Sequence, residues 1–97
     1  MIAIYDKAQW HIDAGENANS VIARIKAVFE FLNDKDLLSA EGKELLELGI
    51  DSSASLNERM VTEKGGKFLE AHYNNVIHYG EDKIAEGLEQ EYKKFNE

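Results

Sequence analysis

Apolar residues recur along this chain at the three- and four-residue spacing that lines one face of an α-helix. The first such stripe runs from Asn19 to Leu32 through Val21, Ile22, Ile25, Val28, Phe29 and Leu32. Asn17 or Asn19 can cap its free amides, and the pattern loosens at Asn33-Asp34. A shorter helix is predicted from Ser39 as N-cap, with Glu41 in a first turn whose dipole favours an acid. It carries Leu45, Leu46 and Leu48, is weakened slightly by Gly42, and stops at Gly49.

After a polar loop at Ile50 to Ala54, the order Ser55-Leu56-Asn57-Glu58 fits a capping box, so a third helix is expected to start there. Its stripe passes Met60 and Val61, crosses Gly65-Gly66, and continues through Phe68, Leu69, His72, Tyr73, Val76 and Ile77 to a stop at Gly80. Two adjacent glycines cost about 2 kcal/mol relative to alanine inside a helix, so they mark a kink or a close backbone approach, of which the close approach is favoured. A last helix is predicted over Glu81 to Phe95, built on Ile84, Leu88, Tyr92 and Phe95, with Lys93 and Lys94 near its negative end. Ile2 to Tyr5 could form a strand, but no partner strand is visible, so it reads as an extended arm. The Trp10-His11 pair would anchor that arm, the ring nitrogens being met by local hydrogen bonds. The expectation is an all-α fold, a compact bundle of about four helices with an N-terminal arm, in a single domain over residues 1–97.

Composition agrees with a packed core under a charged surface, since 43% of residues are hydrophobic and 31% charged. With no cysteine, disulfides and thiolate chemistry are excluded. Nothing in the opening residues has the layout of a signal peptide and no run is long enough for a membrane span, so a cytoplasmic protein without a membrane partner is expected.

Charge changes the picture more. The net charge is −8, and most of it lies in the middle of the chain. Between residues 27 and 58, Glu30, Asp34, Asp36, Glu41, Glu44, Glu47, Asp51 and Glu58 face only Lys35 and Lys43. Such a surface repels phosphate backbones and steers basic proteins inward, so direct nucleic-acid binding is not expected. Asp34, Asp36, Glu41, Glu44, Glu47 and Asp51 are the candidate partner-binding residues.

Catalytic chemistry finds no support in spacing. His72 and His78 are six residues apart, on different sides of a helix, and His11 is far from both, so no metal is expected. The paired acids stand among other charges rather than in an apolar cleft, and no nucleophile elbow, phosphate loop or dinucleotide fingerprint is present. No cofactor and no enzyme activity are expected.

Two segments carry a resemblance. Tyr5-Asp6-Lys7-Ala8-Gln9-Trp10-His11 is similar to an opening Tyr-Asp-x-Ala-x-Trp-His motif in a family of small bacterial proteins. Val61-Thr62-Glu63-Lys64-Gly65-Gly66-Lys67-Phe68-Leu69-Glu70-Ala71-His72-Tyr73 is similar to that family's later pattern of a glycine, a phenylalanine and paired tyrosines. Between them, Ile22 to Leu38 resembles an aromatic-rich helix ending in a Gly-Leu turn. Trp10, His11, Gly65, Phe68 and Tyr73 are the matching positions. The chain departs from the family in lacking a proline segment after Trp-His, in having Asp36 where a glycine would precede Leu37, and in placing His72 at one of the tyrosines. The resemblance implies an immunity protein, an antitoxin-like inhibitor that binds and neutralises a cognate bacterial toxin. A basic nuclease domain is the expected partner, occluded by acidic side chains that mimic phosphate. The alternative is a self-associating structural or regulatory subunit, a homo-oligomer formed through the last helix at Ile84, Leu88, Tyr92 and Phe95.

Overall fold

In the computed structural model, which describes residues 2–97, the chain opens with a strand, β1 (Ile4–Lys7), that runs directly into a short helix, α1 (Ala8–Asp13). Three helices follow at or near the predicted stripes: α2 (Ala18–Asp34), α3 (Ala40–Leu48) and, at the end, α5 (Ile84–Phe95). Between α3 and α5 lie β2 (Ser55–Asn57), a tight helical turn at Glu58–Met60, α4 (Glu63–His72) and a second tight turn at Tyr73–Asn75. The architecture is a mainly helical globule that also holds a two-stranded antiparallel sheet.

The sheet corrects the expected all-α bundle. β1 has a partner after all: Ile4 pairs with Asn57, Asp6 with Leu56 and Lys7 with Ser55. The register shifts between Ile4 and Asp6, where Tyr5 is an extra residue against β2. A bulge of this kind re-aims the side chains that follow it. Here Ile4 is left exposed and Asp6 is fully enclosed, the reverse of what hydrophobicity alone would choose.

The expected capping box is also overturned. Ser55 and Asn57 belong to a strand, and α4 starts eight residues later, with the Thr62 hydroxyl accepting from the Gly65 N–H at 3.1 Å. The local Ser-x-x-Glu pattern loses to pairing with β1, and Glu58 instead accepts from the Ala3 N–H at 3.0 Å. The predicted third stripe stops early as well, because α4 ends at His72 and Tyr73 begins a tighter turn.

Other expectations hold. Asn17 caps α2 by accepting from the Ser20 N–H at 3.1 Å, and Ser39 caps α3 through the Gly42 N–H at 3.2 Å. Gly49, at φ 112°, ends α3 in a conformation that disfavours a side chain. Gly65 marks a close approach: a Cβ there would lie 2.7 Å from the Leu37 carbonyl oxygen. Gly42 has the same role more severely, since its Cβ would meet the Met60 carbonyl oxygen at 2.1 Å. That glycine lets α3 lie directly on the Glu58–Met60 turn.

The core joins Val21, Ile25, Val28, Phe29 and Leu32 of α2 to Leu56, Phe68, Leu69 and Tyr73, and to Ile84 and Leu88 of α5. Ile84 and Leu88 are completely enclosed, and Tyr92 and Phe95 pack on the same core. The apolar face offered as a self-association surface is therefore spent inside the monomer. Phe68 lies at the centre of an aromatic group with Phe31, His72, Tyr92 and Phe95, at centroid separations of 5.3 to 6.1 Å. No helix among the described residues is long and apolar enough to cross a membrane.

Candidate functional site

The sequence places three of the six candidate acids, Glu41, Glu44 and Glu47, on α3 at three-residue intervals. This helix turns Gly42, Leu45 and Leu46 toward the body of the protein, so the glutamates take the opposite side and all three are exposed. Glu41 sits in the first turn, where its charge complements the helix dipole. Asp36 lies just before α3, in the left-handed region at φ 59°, where aspartate is among the few side chains tolerated. Its carboxylate is 3.6 Å from Lys43 Nζ, which ties the Asp36 turn to the α3 surface.

Asp51 follows α3 by three residues. Its carboxylate accepts from the Ser53 hydroxyl and, at 2.8 Å, from the Ser53 N–H, and these bonds hold it below the usual carboxylate range. Asp34 is exposed at the end of α2 and makes no ion pair among the described residues. The structure thus gathers Glu41, Glu44 and Glu47 on one helix face, links Asp36 to it through Lys43, and leaves Asp34 and Asp51 at its flanks. One expectation fails nearby. Leu48, predicted to join the α3 apolar stripe, is 78% exposed beside these acids.

A second polar group has no local signature in the sequence. Asp6, His11, Glu16, Arg24 and Tyr73 form a continuous network between the sheet, α1, α2 and the turn after α4. Tyr73 Oη donates to Asp6 Oδ2 at 2.6 Å, and His11 Nε2 meets Asp6 Oδ1 at 2.7 Å. His11 Nδ1 meets Glu16 Oε2 at 2.9 Å, and Arg24 Nη1 reaches both Glu16 Oε1 at 3.3 Å and the Tyr79 carbonyl at 3.2 Å. Burial pushes the Tyr73 phenol well above its ordinary value, and the charge and hydrogen bond of Asp6 push the same way. For Glu16 burial pushes upward, but hydrogen bonds and charge from His11 and Arg24 outweigh it and the net direction is down. Arg24 Nε and Nη2 are enclosed and have no hydrogen-bond partner among the described residues.

This network is a structural clasp. Asp6 and His11 are 0% and 7% exposed, so the network ties the sheet to α1 from inside the fold. The expected anchor role of the Trp10-His11 pair belongs to His11 alone, because Trp10 is half exposed. Asp6 stands between Tyr5 and Lys7, and its immediate neighbours carry no sign that it will be enclosed. The signal available was an acid inside the extended segment, five residues before a histidine.

A third group closes the far side. Glu91 of α5 accepts from Asn75 Nδ2 at 2.7 Å, meets His72 Nδ1 at 3.1 Å and accepts from Lys94 Nζ at 3.1 Å. The Asn75 and His72 bonds, with Lys94 adding to them, lower its pKa to about 2. His78 is exposed and apart from both groups. No three histidine, aspartate or glutamate side chains among the described residues are arranged to hold a metal ion. Comparison with family models, with characterised proteins and with solved structures finds no match to this chain.

Proposed function

We propose that this chain is an immunity-type binding protein of the bacterial cytoplasm that neutralises a basic toxin domain, a nuclease being the expected class. The observation that carries the reading is the clustering of Glu41, Glu44 and Glu47 on the exposed side of α3, flanked by Asp34, Asp36 and Asp51. Two cations lie among them, and both are engaged: Lys43 by Asp36 and Lys35 by Glu89. An acidic face of this kind accelerates encounter with a basic partner and occupies the groups that would otherwise hold phosphate. The resemblance of the Tyr5 to His11 and Val61 to Tyr73 segments to small immunity proteins supports the same reading. Inhibition by occlusion requires no catalytic residue and no cofactor from this chain.

The test is capture from the native host with tagged protein at low and moderate salt, with bound proteins identified by mass spectrometry. A basic toxin domain released by salt is the expected result. Reversing Glu41, Glu44 and Glu47 together should then slow association about tenfold or more, because exposed charges act mainly on the encounter rate. Recovery of the protein alone, with no basic protein retained at low salt, overturns the reading.

A further inference from the structure

We infer that the C-terminal end of α3 is the point on which the partner's cations converge, with Leu48 as the apolar centre of the contact; this rests on the toxin-binding reading. A helix presents a partial negative charge at its C-terminus, and a lysine, arginine or histidine in the last turn normally offsets it. α1, α4 and α5 follow that rule with His11, His72, and Lys93 and Lys94. α3 breaks it. It has no basic residue in its last turn and carries Glu44 and Glu47 toward that end instead.

The backbone points the same way. Past α3 only the Gly49 N–H returns to the helix, to the Leu45 carbonyl at 3.0 Å. The carbonyls of Leu46, Glu47 and Leu48 retain acceptor capacity for a donor from outside the chain. Glu44 lies four residues before Leu48 and Glu41 seven, so all three share one strip of the helix surface. Leu48 is 78% exposed, against 49% for Trp10, the next most exposed large apolar side chain. An exposed leucine ringed by carboxylates and free carbonyls fits one kind of surface: a small apolar pocket rimmed by arginine or lysine on a partner protein. A second copy of this chain would bring the same negative end, on a molecule of net charge −8, against itself.

Two substitutions separate this inference from the broader reading. Glu47→Lys should raise the melting temperature by roughly 2–6 °C, because it removes a charge opposed to the dipole and adds a favourable one. The same substitution should weaken the complex with the captured basic protein at least about tenfold. Leu48→Ser should leave the melting temperature within about 2 °C, since the side chain is exposed, while weakening the complex about tenfold with its salt dependence unchanged. The complexes would be titrated with the recovered partner after repurification.

If both variants bind as the wild type does, while reversal of Glu41, Glu44 and Glu47 together abolishes binding, this placement is overturned and the acidic-face reading survives. If the wild type retains no basic protein, both fall. A dimer of the wild type that Leu48→Ser dissociates, seen by light scattering, overturns the inference in favour of self-association.

Discussion

Tyr73 donates its hydroxyl hydrogen to Asp6 at 2.6 Å, joining residues 67 positions apart inside a wholly enclosed site. They lie in segments far apart in the chain, Asp6 in β1 and Tyr73 at the turn after α4, which meet in space as one hydrogen-bonded unit. Tyr73→Phe keeps the ring packing and deletes one bond to a buried carboxylate. Loss of about 1.5–3 kcal/mol of unfolding free energy is expected, measured by denaturant titration. A loss below about 0.5 kcal/mol would show that the carboxylate does not depend on the phenol.

His11 and Trp10 are neighbours with opposite surroundings. His11→Ala removes a ring that bridges Asp6 and Glu16 and leaves the enclosed Asp6 carboxylate short of a partner, so about 3 kcal/mol should be lost. Trp10→Ser alters a half-exposed side chain and should cost well under about 1 kcal/mol. Equal losses in thermal denaturation would contradict this division of labour.

Acid should weaken the closure of α5. The Glu91 pKa is depressed in the folded protein to about 2, so its contribution is present in full above the ordinary glutamate value near 4.5. It is lost progressively as pH falls from there through about 2. The stability of Glu91→Gln, followed across the same range, should fall less steeply than that of the wild type. Parallel curves would remove Glu91 from the acid response.

Two glycines on successive helices should respond differently to alanine. At Gly42 a Cβ would overlap the Met60 carbonyl, and α3 would have to lift from the turn that also accepts the Ser39 N–H at 3.0 Å. Gly42→Ala should cost about 2–4 kcal/mol despite the gain in helix propensity. At Gly66 the nearest atom is the Tyr5 hydroxyl at 3.0 Å, the far end of a side chain that can shift. Gly66→Ala should be within about 1 kcal/mol of neutral, because the propensity gain offsets the adjustment. Comparable destabilisation at both sites, read from chemical denaturation, would refute the contrast.

The helices that the sequence shows best are those whose signals are local. α2, α3 and α5 each combine an apolar stripe with nearby stop or cap residues, and Asn17, Ser39 and Gly49 act where those patterns place them. What stayed hidden depends on distant partners. Ser55 to Glu58 satisfies a local helix rule, and nothing nearby reveals that Leu56 will pair with Asp6, fifty residues earlier. Without β2, β1 has no reason to be a strand, and without the bulge at Tyr5 the burial of Asp6 has no precedent in the pattern. The six acids of the candidate surface were visible because exposed charge follows from composition and helix phase. The exposure of Leu48 was not, because it depends on where α3 ends and on how Gly49 redirects the chain.

The pairing of β1 with β2 also sets an order of events during synthesis. α2 holds its own hydrogen bonds and can begin to form once its residues leave the ribosome. Strand β1 must wait for Asn57, and the Asp6 carboxylate must wait for Tyr73, 67 residues further on. Until then the residues of β1 lack the contacts that hold them in the finished protein. β1 is therefore locked in place well after it is made, and it offers chaperones and proteases a window that closes only when the turn after α4 arrives.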